Sequence, residues 1–88
     1  MSEEETLLVF PCEFPIKAMG KADVELDLLV IDIVRRHTDS LTEDRISTRP
    51  SKNGTYVSIT VTVTATSKPQ LDAIYQDLSG HPHILMVI

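Results

Sequence analysis

The side chains best equipped for chemistry in this chain are three histidines, His37, His81 and His83, and a single cysteine, Cys12. His81 and His83 stand two apart, a spacing that on a strand sets both imidazoles on one side. A structural zinc needs four ligands at a recognisable spacing, and only His37 and Cys12 remain, in distant segments. The simpler reading is a histidine at a helix end and two surface histidines in a turn. Cys12 has no Lys, Arg or His close in sequence to draw out its proton, so it reads as a small, half-buried apolar side chain. Glu43 and Asp44 fall in a polar connection, where solvation explains them. No Walker loop, nucleophile elbow or GxGxxG motif occurs. The reading is therefore of no enzyme, with no catalytic residue, metal or cofactor.

The elements that would position such groups must come from one domain, because 88 residues leave no room for a second core. A hydrophobic fraction of 42% is ordinary for a globular chain. No apolar run approaches the roughly 20 residues that span a bilayer. The start, Ser2-Glu3-Glu4-Glu5, is acidic where a secretory signal is basic. With one cysteine and no signal, a cytoplasmic protein is expected, neither exported nor bound to membrane. A formal net charge of -5 repels phosphate backbones, so nucleic acid is not an expected partner. Residues 1–12 read as an acidic, partly ordered leader, and 13–88 as the domain.

Within it, Pro11 and Pro15 exclude helix, and a short strand from Phe14 to Met19 ends at Gly20. Residues 21–37 read as a helix carrying Ala22, Leu26, Leu29 and Ile33 at helical spacing, with acids early and Arg35, Arg36 and His37 late. Its second flank, Val24, Leu28 and Ile31, is also apolar. After a polar connection, strands at 45–51 and 55–66 flank Lys52-Asn53-Gly54, whose Asn-Gly is a strong hairpin signal. In the second of these, Val57, Ile59, Val61, Val63 and Ala65 alternate with Ser and Thr, so one face is buried and the other polar. Ser67-Lys68-Pro69-Gln70 has the form of a capping box opening a helix that buries Leu71, Ile74 and Leu78, and Gly80 with Pro82 stops it. His83 to Ile88 is the last strand.

The order βαββαβ with helical crossovers predicts an α+β, ferredoxin-like sandwich: a four-stranded antiparallel sheet, order 4-1-3-2, with two helices on one face. RNA-binding domains of this fold stack bases on strand aromatics, whereas here the open face would show Tyr56 followed by Ser58, Thr60 and Thr62. The final strand is an uncharged edge, where charge or Pro is usual. With Ile84, Met86 and Ile88 toward the helices, Leu85 and Val87 would face outward. They and the flank Val24, Leu28 and Ile31 are the candidate interface, unless Leu7-Leu8-Val9 covers part of it.

Leu7-Leu8-x-Phe10-Pro11-x-x-Phe14, then Lys17-x-Met19-Gly20, Arg36-His37, Pro50-Ser51-x-x-Gly54-x-Tyr56-x-Ser58, Tyr75-x-x-Leu78 and Met86-Val87 together resemble the YbeD-like family of small bacterial proteins. The resemblance spans nearly the whole chain. It departs in the acidic leader, a longer connection after His37, and Leu85 where some relatives carry a basic side chain. It implies a fold close to ACT regulatory domains, which bind small metabolites beside the loop after the first strand, here Met19, Gly20 and Lys21. It also implies a link to lipoate metabolism. The function expected is thus a non-catalytic, ligand-sensing regulatory module acting through self-association or a partner protein, with a ligand-free protein-interaction adaptor as the alternative.

Overall fold

Between Tyr56 and Ala65 every second side chain is apolar, and the chain there forms one of the two inner strands of the sheet. The computed structural model describes residues 9–39 and 41–88, so the expectation for Leu7 and Leu8 lies outside the described residues. In chain order the elements are β1 (Cys12–Lys21), α1 (Leu26–Arg35), a single 3-10 turn (Glu43–Arg45), β2 (Ile46–Pro50), β3 (Tyr56–Ala65), α2 (Lys68–Ser79) and β4 (Ile84–Val87). The four strands are antiparallel in the order β2-β3-β1-β4, and both helices pack on one face. This is the ferredoxin-like βαββαβ arrangement expected.

β1 pairs with β3 over its whole length, from Cys12 opposite Ala65 to Lys21 opposite Tyr56. It is longer than the expected Phe14–Met19 at both ends, because Cys12 and Glu13 already pair with β3 and Gly20 continues the strand. A Cβ on Gly20 would stand 2.5 Å from the carbonyl oxygen of His83 and 3.0 Å from a methyl of Leu26. The glycine is required by the close approach of β4 and α1 at that point. β2 borders β3 from Ile46 opposite Val61 to Pro50 opposite Val57, and Gly54 takes φ +75° in the hairpin turn as its Asn-Gly predicts.

α1 starts five residues later than the expected 21–37. The Ala22 N–H donates to the Thr55 carbonyl at 2.9 Å, extending the sheet's bonding and drawing the chain away from helix. Asp23 and Glu25 consequently precede the helix, and Asp27 is the acid in its first turn. Leu26, Val30, Ile33 and Val34 form the buried stripe. In the connection read as polar, Leu41 is buried and anchors that segment to the core.

α2 is capped nearly as its sequence predicts. The Gln70 N–H donates to Ser67 Oγ at 3.2 Å, while Gln70 Oε1 accepts from the N–H of Thr66, one residue before the cap, at 2.7 Å. Gln70 Nε2 also donates to the carbonyl of His37 at 2.9 Å, tying the start of α2 to the end of α1. Leu71, Ile74 and Leu78 are buried.

β4 departs most from the expected alternation. Ala18 lies opposite Val87 and Met19 opposite Met86, but Gly20 lies opposite Ile84, so Leu85 is an extra residue in a bulge. The bulge shifts the facing by one position. Ile84 is buried and Val87 packs on the core, while Leu85 and Met86 are both exposed. Val87 therefore does not face outward, and Met86 does.

Candidate functional site

On β1, the buried Ile16, Ala18 and Gly20 alternate with Lys17, Met19 and Lys21, which project from the open face. Register then assembles that face in rows. Arg49, Ser58, Met19 and Met86 run across the four strands. Toward the hairpin turn, Tyr56 sits opposite Lys21. In the other direction Ser47, Thr60 and Lys17 align, and Lys17 exchanges backbone hydrogen bonds of 3.1 and 2.8 Å with Ile88. A notch of about 190 Å³ opens between these rows, lined by Met19, Arg49, Pro50, Tyr56, Val57 and Ser58.

The far end of the face is electrically closed. Arg45 Nη1 donates to the Glu13 carboxylate, which also accepts from the Thr64 hydroxyl at 3.2 Å. The Arg45 hydrogen bond, chiefly, holds the Glu13 carboxyl below its ordinary value. The Thr42 hydroxyl does the same for Asp44. Among the described residues Lys17, Lys21 and Arg49 make no ion pair. Most of the acids lie elsewhere, Asp23, Glu25, Asp27, Asp32, Asp72 and Asp77 among them, on or beside the helices. A chain of net charge -5 thus presents a positive sheet face and a negative helix side.

Met19, Gly20 and Lys21 are not brought together. Met19 and Lys21 point outward and Gly20 inward, against Leu26. Beside them lies a hollow of about 370 Å³ lined by Lys21, Ala22, Asp23, Gly54 and Thr55. Of the helix flank, Leu28 is exposed, while Val24 and Ile31 are half-buried against the core. At the β4 edge, Tyr75, Gln76 and Ser79 of α2 form a groove with Leu85 and Met86 of about 290 Å³. Partial burial there raises the Tyr75 hydroxyl pKa.

One contact had no signal in the sequence: His37 Nε2 lies 2.6 Å from Asp77 Oδ2, across forty positions. The pair stands near an open hollow of about 470 Å³ lined by Arg36, His37, Thr38, Asp39, Thr64, Thr66 and Gln70. The rings of His81 and His83 are 5.6 Å apart, and His81 Nδ1 accepts from the His83 N–H at 3.2 Å. Among the described residues no three His, Cys, Asp or Glu side chains converge as a metal set would. Among the described residues no helix is long and apolar enough to cross a membrane.

The chain is similar throughout its length to other bacterial proteins. It is 46% identical over 87 residues to a UPF0250 protein of Paraburkholderia phytofirmans, covering 99% of this chain and 98% of the relative. A UPF0250 protein of Janthinobacterium is 46% identical over 84 residues, covering 96% and 92%. One of Nitrosomonas europaea is 41% identical over 85 residues, covering 97% and 98%. Residues 5–88 match the family model described as "Protein of unknown function (DUF493)". With its fold, its near-complete coverage and these relatives, the chain belongs to that family, the YbeD-like group of small bacterial proteins that its motifs resemble.

Proposed function

We propose that this chain is a non-catalytic, cytoplasmic interaction module that pairs with a second copy of itself along β4 and serves a regulatory role through that assembly. The observation that carries the reading is the apolar edge: Leu85 and Met86 of β4 and Ile88 just beyond it are 59%, 51% and 62% exposed, in a segment with no charge and no proline. A small domain gains by covering such a patch. The bulge at Leu85 interrupts regular strand addition, so the contact is made by side chains. In a two-fold pair, Leu85 of each copy enters the groove between α2 and β4 of the other, a self-complementary fit. Sedimentation of the wild type and of Leu85→Lys tests it. The wild type is expected to be dimeric and the variant monomeric and folded. A wild type that stays monomeric at its highest soluble concentration removes the reading.

The small-ligand alternative is favoured by the hollow beside Lys21. A metabolite bound there stabilises only the folded state and raises Tm. Lys21→Ala should abolish that shift, and a retained shift would place the ligand elsewhere.

A further inference from the structure

The β4 pairing leaves most of the open sheet face uncovered, and we infer that this face docks an acidic, amphipathic protein segment, one that sets a leucine-like side chain beside a carboxylate. The inference rests on the interaction reading only in treating the domain as a binding module. Its chemistry comes from the other side of the sheet, away from the β4 edge.

Three features converge there. The notch, whose open-face apolar side chains are Met19 and Tyr56 and whose rim includes Arg49, Ser51 and Ser58, holds about 190 Å³, room for an aliphatic side chain. Arg49 stands in the same row as Met19, and Lys21 opposite Tyr56, so cations flank the notch on two sides. Lys17 lies one row further on, and none of these three cations has an ion-pair partner among the described residues. At the other end the Glu13–Arg45 pair has already neutralised itself, so the attraction is concentrated near the notch. An apolar anchor gives such a contact its affinity, and surrounding charges select the partner and speed its arrival.

The same features argue against other occupants. A second copy placed face to face would set Lys17, Lys21 and Arg49 against their own equivalents, and like charges in juxtaposition disfavour the contact. Single-stranded nucleic acid calls for successive stacking rings, and among the described residues Tyr56 is the only aromatic one on the face. An anionic lipid surface gains about 1 kcal/mol per nearby cation, and three cations around a notch form a local socket rather than a broad field.

The test is fluorescence anisotropy of the full chain with a labelled peptide of alternating leucine and glutamate. Its leucine–lysine counterpart, a short oligouridylate and phosphatidylserine vesicles are run in parallel. The leucine–glutamate probe is expected to bind at micromolar concentration and the lysine counterpart not to. Arg49→Glu and Lys21→Glu should each weaken binding by about tenfold or more. Lys68→Glu makes the same change of charge on the helix side and should leave binding within about twofold. Equal binding of both peptides, loss of binding in Lys68→Glu alone, or no binding of the acidic peptide overturns the inference. So does binding of oligouridylate or vesicles in its place. If Gln replacement of Glu3, Glu4 and Glu5 raises peptide affinity about tenfold, the leader is the occupant and the inference also falls. None of these outcomes depends on sedimentation, which reads the β4 pairing separately.

Discussion

At Gly20 a hydrogen is the largest substituent the backbone of β4 admits. Gly20→Ala places a methyl 2.5 Å from the His83 carbonyl, so either β4 shifts or the core opens. A loss of about 1–3 kcal/mol is expected by urea denaturation. For that reason a larger residue at Gly20 reports on folding, and a ligand at the neighbouring turn is tested through Lys21. Glu13 makes a second residue-scale prediction. Its folded-state value lies below the ordinary 4.5, chiefly because of the Arg45 hydrogen bond. The stability this adds is present at neutral pH and is lost as pH falls below 4.5 and through the folded value. Glu13→Gln should flatten that part of the acid limb, seen as a Tm gap from wild type that narrows with falling pH. An unchanged acid limb would mean that the exposed pair adds nothing.

At the scale of elements, α2 and β4 differ in how far local chemistry decides them. α2 begins where Ser67 and Gln70 satisfy free backbone groups, and Ser67→Ala should cost about 1 kcal/mol. Gln70→Ala keeps the backbone N–H that Ser67 caps but should cost at least as much, because it releases both the Thr66 N–H and the His37 carbonyl. Equal stability of Gln70→Ala and wild type by denaturant melts would show that neither tie matters. β4 gives the opposite case. Its four apolar residues carry no mark of which face each belongs to, and the bulge chooses. Val87→Lys should destabilise the unpaired chain by about 1–3 kcal/mol, since Val87 packs on the core, while Leu85→Lys should change it by about 0.5 kcal/mol or less, both read at a concentration too low for pairing. Comparable losses in the two variants would contradict the bulged register.

For the whole molecule, the decisive property is the separation of charge between its faces. The average, -5, argued against polyanionic partners, yet the open sheet face carries Lys17, Lys21 and Arg49, none of them in an ion pair among the described residues. Binding at that face should weaken with added salt, whereas β4 pairing, made by apolar side chains, should change little. Sedimentation and peptide titration at low and high salt check this, and a pairing that dissolves with salt would assign β4 to electrostatics.

The sequence by itself determined what depends on local periodicity and short motifs. These were the alternation of β3, the Asn-Gly turn, the Ser67 cap, the buried stripe of α2 and, through their order, the ferredoxin-like topology. Tertiary structure decided what depends on neighbours remote in the chain. The Thr55 carbonyl delays the start of α1, and the backbone at His83 explains Gly20. The extra residue opposite Met19 turns Val87 inward and Met86 outward. Register across three strands gathers Arg49, Lys21 and Tyr56 around one notch, and helix packing joins His37 to Asp77. Local patterns state which face a residue prefers. Only the packed partner strand fixes the phase and brings distant side chains within reach, because a shift of one residue exchanges the two faces of a strand.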